Sequence, residues 1–252
     1  MLAPVTSLDR RVITASDGID TPSLILDESI MQQNIDEMAA LAAGFGVKLR
    51  PHIKTHKSTV IAKRQIDAGA IGIMCAKLGE AEVFASSGIR DIVVGYQIVG
   101  DVKIRRLLSL LEQADLKVCV DSIDAAQALS EAMHRQGRVL PILIEVNTGH
   151  NRAGVLWGEQ AVDLANAVAK LSGLHLTGIM THEGHASAQP PETIREVSLE
   201  AGRRLVETAE AIRRIGVPLE TVSVGSTPCA PHTPSVEGVT ELRTGTYVIL
   251  DT

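Results

Sequence analysis

Lys48–Ser58 reads K-L-R-P-H-I-K-T-H-K-S. It follows a helix-like segment and a glycine, and it has the form of a short buried strand that ends in a polar turn. Pro51 has no amide hydrogen, so it suits a strand margin better than a strand centre. Behind it stand two histidines and two lysines in six residues: His52, Lys54, His56 and Lys57. A lysine at the mouth of a strand, packed on one side and partly desolvated, can form a Schiff base. Taken by themselves these residues also fit a solvated basic turn.

Outward from this stretch the chain alternates. Apolar runs at 23–27, 47–51, 71–76, 91–94, 116–120, 140–146, 174–180 and 221–224 read as strands. Between them, 28–43, 59–68, 79–87, 103–112, 159–171 and 192–215 read as helices, several closed by glycine. One more helix runs to Gln136, capped by Asp121 or Ser122. Eight strands alternating with helices predict an α/β fold, a closed (β/α)8 TIM barrel, with a doubly wound sheet as the alternative. Glycine and polar clusters follow the strands, where a barrel keeps its site. No composition break divides the chain into two domains. Residues 1–20 read as an N-terminal extension and 21–244 as the barrel. The run 247–250 reads as a further strand, packed at the barrel rim or against another copy, because an open strand edge invites aggregation.

Composition narrows the function. Of 252 residues 45 % are hydrophobic, enough for a substantial aliphatic core, and the net charge is −6. Aromatics are 2 %: Phe45, Phe84, Tyr96, Trp157 and Tyr247. An acidic chain with so few stacking rings argues against a nucleic-acid partner. No apolar run is long enough to span a membrane, and the N-terminus lacks the pattern of a secretory signal. Cys75, Cys119 and Cys229 lie far apart without zinc-ligand spacing, which fits core thiols and a cytoplasmic location.

The strand ends carry the chemistry. Lys54 follows one strand, Lys77 and Glu80 the next, and Tyr96 and Gln97 the one after. Asn147, His150, Asn151 and Arg152 follow 140–146; His182, Glu183 and His185 follow 174–180; Gly225, Ser226 and Thr227 follow 221–224. A barrel gathers all of these on one face. Asp27 and Glu145 sit in or at the ends of strands and could be buried supporting groups. G-S-T suits an anion, since small residues let backbone amides approach and hydroxyls add donors; such sites are often built near a helix N-terminus. By itself it also fits a plain turn. Paired with Lys54 it forms a two-point site for a phosphorylated aldehyde, and the cofactor that fits is pyridoxal 5'-phosphate, PLP. H-E-G-H, residues 182–185, is not the helical H-E-x-x-H zinc motif, and no metal ligand set is assigned.

Several stretches together resemble the D-threonine aldolase and D-serine dehydratase family, the alanine-racemase-like, fold-type III PLP enzymes. They are T-P-S-L-I-L-D, L-R-P-H-I-K-T-H-K, C-A-K-L-G-E-A-E, E-V-N-T-G-H-N-R-A-G-V, G-S-T-P and T-E-L-R-T-G-T-Y-V, from about Thr21 to the last residue. The resemblance implies a barrel of the alanine racemase N-terminal type and a PLP-dependent lyase for D-configured β-hydroxy amino acids. It implies Lys54 as the Schiff-base lysine, Arg152 near the cofactor, and Gly225, Ser226 and Thr227 as the phosphate loop. Retro-aldol cleavage to glycine and an aldehyde is the leading expectation. D-serine or 3-hydroxyaspartate dehydration, racemisation and non-catalytic PLP binding are the alternatives.

Two departures from the family pattern matter. The family usually places a tyrosine beside the cofactor where this chain has His182, a residue open to a role as base, cofactor contact or structural histidine. Full-length members also continue into a β-domain whose histidine and cysteine or aspartate bind a divalent metal (Mn, Mg or Zn) acting on the substrate hydroxyl. Residues 245–252 would open that domain, and the metal ligands are expected to be absent here, with impaired turnover as a result. A homodimer is implied as well.

Overall fold

The structure, a computed structural model, describes residues 18, 20 and 22–250; most of the 1–20 extension lies outside them. The run 23–27 forms no strand, and Leu24, Ile25 and Leu26 are exposed. Apolarity alone does not make a strand without a neighbour for its backbone groups. Asp27, open to a buried role by sequence, is exposed and caps the first helix, α1 (Glu28–Gly44): its Oδ1 accepts from the amides of Ser29 at 2.9 Å and Ile30 at 3.1 Å.

The alternation then proceeds as β1 (Lys48–Leu49), α2 (Thr59–Asp67), β2 (Ile73–Cys75), α3 (Leu78–Ser86), β3 (Asp91–Val94), α4 (Asp101–Leu110), β4 (Asp115–Val120), α5 (Ile123–Arg135) and β5 (Leu140–Asn147). After a short strand β6 (Val155–Leu156) come α6 (Glu159–Val168), β7 (Leu174–Met180), α7 (Pro191–Arg214), β8 (Thr221–Val224) and β9 (Glu241–Leu242). Pro191 occupies the first turn of α7, where its missing amide costs nothing. The sheet order is β1-β9-β8-β7-β5-β4-β3-β2, all parallel, with β6 attached to β5 alone. A parallel bridge between His52 and Met74 joins the two ends, so eight strands close into a barrel. The expected count is met with a different member: 23–27 is no strand, and β9, too short to stand out as an apolar run, takes the place between β1 and β8.

Period-two alternation separates two layers. One face of each strand packs into the large core beneath the helices, with Ile73, Ile92, Val118, Ile144 and Ile179 nearly inaccessible. The other face supplies a smaller cluster of Met74, Val93, Cys119, Leu143 and Met180 inside the ring. Polar groups of the same inward parity lie at the β8–β9–β1 side. Arg50 Nε donates to Glu241 Oε2 at 2.9 Å and Arg50 Nη1 to Asp91 at 2.7 Å. Ser223 Oγ donates to Glu241 Oε1 at 2.6 Å and accepts from Arg243 Nε at 2.7 Å. Gly72 makes room for this network: a Cβ there would lie 2.7 Å from Arg50 Nη1 and 2.4 Å from the Asp91 carbonyl oxygen.

The expected strand at 247–250 is a 3-10 turn, Thr246–Ile249. Its burial explains the difference: Tyr247 and Val248 pack on Met31, Ile35 and Ile61, and the Tyr247 hydroxyl accepts from Gln65 Nε2 at 2.8 Å. Asn34 Nδ2 on α1 donates to the Leu250 carbonyl at 2.8 Å. The segment thus lies at the barrel rim, against helices rather than a strand partner.

Candidate active site

A cavity of about 500 Å³ opens at the carboxyl ends of the strands. Lys54, Arg152, His182, Gly225, Ser226 and Thr227 all line it. Tyr96, His150 and Glu145 reach it too, whereas Lys77, Glu80, Gln97, Asn147, Asn151, Glu183 and His185 do not line it.

Lys54 stands on a braced turn. Ile53 is fully buried and its amide donates to the Met74 carbonyl at 2.9 Å, while the His52 amide donates to the Thr244 carbonyl at 2.8 Å. Lys57 adopts φ 51, in the left-handed region, and its Nζ lies 3.2 Å from Glu80 Oε1. Glu80 Oε2 accepts from the Ala76 amide at 2.7 Å. The amine of Lys54 is therefore carried by a turn pinned to β2, β9 and α3. Desolvation, then the charges of Arg152 and Arg243, lowers its pKa below the ordinary lysine value.

The loop after β8 lines the same cavity. The Gly225 amide donates to Glu183 Oε2 at 2.9 Å, and the Gly225 carbonyl accepts from His182 Nδ1 at 2.6 Å. A Cβ at Gly225 would lie 2.5 Å from the Arg243 carbonyl oxygen, so only glycine fits. With its own amide used, Gly225 provides approach rather than a donor, and Ser226 and Thr227 present the polar surface. Thr227 Oγ1 is buried without a hydrogen-bond partner among the described residues. No α-helix follows this loop: the chain turns through 227–232 into a 3-10 segment, Thr233–Ser235, so the expected helix N-terminus is missing.

One charged residue was not legible as a site residue, Arg243, and a second, Glu145, read only as a possible buried supporting group, lines the cavity itself. Arg243, just past β9, is 4 % exposed and forms part of the cavity floor. Its Nη1 lies 3.4 Å from Met74 Sδ, and its Nη2 donates to the Thr181 carbonyl. The signal was the L-R-T segment, hidden because its strand was too short to recognise. Glu145, on β5, accepts from Gln97 Nε2 at 2.8 Å, and burial raises its carboxyl above the ordinary range.

The histidines form a row. His150 meets His182 edge-on at 5.4 Å between ring centres and stacks on His185 at 6.1 Å. Among the described residues no group of three or more His, Cys, Asp or Glu is placed to hold a metal ion. Burial, with Lys54, Arg243 and Arg152 nearby, brings His182 down to about 4 despite the hydrogen bond to Gly225. Its ring is therefore neutral at neutral pH, with the proton on Nδ1 and a lone pair on Nε2. The ring resonances of His182 are expected to stay unshifted from pH 8 to about pH 5 in an NMR titration. An unfolded histidine takes up its proton near 6.5, so the stability linked to this neutral ring is complete above that value and is lost as pH falls toward 4. Glu183 and Glu145, whose carboxyls are raised, act in the opposite sense.

Known proteins share this fold. The family described as "Alanine racemase, N-terminal domain" matches residues 26–252. The D-threonine aldolase structure from Filomicrobium marinum is 38 % identical with a TM-score of 0.88, over 92 % of this chain and 63 % of that one. The D-threo-3-hydroxyaspartate dehydratase of Delftia sp. strain HT23 is 37 % identical over 237 residues, 92 % of this chain and 62 % of the relative. The D-threonine aldolase of an Arthrobacter species is 35 % identical over 234 residues, with the same coverage. The chain thus spans about 62 % of the length of these curated relatives. Matched along nearly all of its described barrel, the chain belongs to the alanine racemase N-terminal domain family, the alanine-racemase-like, fold-type III PLP proteins.

Proposed function

We propose that this barrel binds PLP and serves a lyase acting on D-configured β-hydroxy amino acids, with retro-aldol cleavage to glycine and an aldehyde as the reaction. The observation that carries the reading is the pairing of a lysine with lowered basicity and a loop with a buried, unpartnered hydroxyl, Thr227 Oγ1, on one cavity. These residues fit the cofactor. Lys54 would hold its aldehyde, Ser226 and Thr227 its phosphate beside Gly225, and Arg152 and His182 its ring. PLP, when bound, supplies an electron sink for charge released at the substrate α-carbon.

The chain's own groups do the rest. The lowered pKa of Lys54 enlarges the neutral fraction of its amine at neutral pH, the form that acts as nucleophile or base. His182 donates its Nδ1–H in a hydrogen bond to the Gly225 carbonyl, so Nε2 of the neutral ring can only accept. With a pKa of about 4 it is a weak base near neutrality, which favours holding over proton transfer. Arg243 sets a fixed positive charge in the cavity floor without a direct carboxylate partner among the described residues.

Dehydration of D-threo-3-hydroxyaspartate or D-serine is the second reading, favoured by 37 % identity to a dehydratase beside 38 % to an aldolase. The reading extends to residues 21–244 as the PLP-binding barrel, to a divalent metal on the substrate hydroxyl with ligands beyond the described residues, to a homodimer, and to a cytoplasmic location. The three free buried cysteines fit the last of these, and no described helix is long and apolar enough to cross a membrane. The test supplies D-threonine, D-serine and D-threo-3-hydroxyaspartate to PLP-treated protein, with and without Mn²⁺ or Zn²⁺. Aldehyde from D-threonine supports the aldolase. Ammonia and a 2-oxo acid without aldehyde transfer the assignment to the dehydratase. Neither product from any of the three, with PLP bound and metal present, overturns lyase activity for this chain.

A further inference from the structure

We infer that Glu183 is a positioning residue that, together with His182, clamps the Gly225 backbone and thereby sets the anion-binding surface of Ser226 and Thr227. The inference rests on the PLP reading above. Glu183 is fully buried, yet it does not line the cavity. Its Oε2 accepts from the Gly225 amide, while its Oε1 is buried without a hydrogen-bond partner among the described residues. Burying a carboxyl with one oxygen unsatisfied is costly, and an apolar side chain of similar volume would avoid that cost. Burial also holds the carboxyl above its ordinary range, and the amide bond to Gly225 survives in either protonation state.

The geometry shows what the carboxyl does there. Consecutive residues after β7 take the two polar groups of one residue after β8: His182 the carbonyl, Glu183 the amide. Neither group of Gly225 then needs to turn to the cavity, and the outward positions fall to the next two residues. The loop is also stopped from behind, where the Arg243 backbone leaves no room for a Cβ at Gly225. The Glu183 carbonyl adds a second tie between the two loops, since Cys229 Sγ lies 3.8 Å away as donor. Glu183 does not line the cavity and forms no ion pair among the described residues, although the Arg243 charge and the Thr233 hydroxyl act on its carboxyl, so its effect runs through Gly225 and not onto a substrate.

The test compares PLP with pyridoxal, the same aldehyde without its phosphate, on the full chain. Glu183→Leu is expected to weaken PLP about tenfold to a hundredfold, the scale of one lost hydrogen bond to a charged group, and to leave pyridoxal within about twofold. Glu183→Asp should show the same selectivity at smaller size, and Glu183→Gln, which keeps an acceptor oxygen, should stay near the parent. Equal losses for both ligands in the Leu or Asp variant, or no loss for PLP, overturn the inference. A second arm needs no cofactor. Hydrogen exchange at the Gly225 amide should be slow in the parent and the Gln variant and faster in the Asp and Leu variants. Unchanged protection in the Asp variant overturns the clamp even if Leu fails to fold. A parent that binds neither PLP nor pyridoxal sinks the cofactor reading instead, and the exchange arm still decides the clamp.

Discussion

Borohydride treatment of the PLP-loaded protein is expected to leave a pyridoxyl group on Lys54, and Lys54→Ala is expected to abolish the adduct and lower any lyase turnover by about 10³-fold or more. The expectation rests on position and basicity together. Lys54 lines the cavity, whereas Lys57 is held at 3.2 Å by Glu80 and does not. Both lysines lie in one basic hexapeptide, so peptide mapping of the reduced adduct discriminates sharply. An adduct on Lys57, or equal labelling of surface lysines, would remove the assignment. Arginine at position 54 keeps the charge but cannot form the bond, so Lys54→Arg should lose the adduct while the barrel stays folded.

Arg50→Met is expected to be the most damaging single change to stability. Arg50 is 2 % exposed and Glu241 4 %, and their 2.9 Å ion pair joins the end of β1 to β9. Removing one member strands a buried carboxylate with Ser223 as its remaining partner, at a cost of about 3–5 kcal/mol. For a chain of this size that corresponds to a fall in Tm of roughly 6–20 °C. Asp91 loses its partner too, but its side chain is 38 % exposed and water can take over. The double variant Arg50→Met, Glu241→Gln should recover much of the loss, because the uncompensated charge is gone. A thermal melt in which Arg50→Met falls by less than about 1 kcal/mol, or in which the double variant is worse than the sum of the singles, would refute this account.

How much of this was legible can be read from particular elements. The runs at 91–94, 174–180 and 221–224 coincide with β3, β7 and β8, because each is dominated by aliphatic residues and buried over most of its length. Helix caps at Ser122 and the proline at Pro191 mark boundaries through local chemistry that needs no tertiary partner. The cavity residues Lys54, Arg152, His182 and Gly225–Thr227 were recognisable because a parallel barrel places every strand end on one rim, so order along the chain already implies proximity.

What the sequence alone determined is therefore the repeating pattern and the set of chemical groups delivered to one mouth. Tertiary structure decided the rest, wherever meaning depends on a partner remote in the chain. The run 23–27 has the composition of a strand but no neighbour, while Glu241–Leu242 becomes one because β1 and β8 flank it. Tyr247 and Val248 bury against α1 and α2 instead of pairing. Arg243 and Glu183 acquire roles only through Ser223, Thr181 and Gly225, between 20 and 62 residues away. Local patterns record backbone periodicity and side-chain type. The burial of a charge and the satisfaction of a hydrogen bond are properties of contacts, and folding alone creates those contacts.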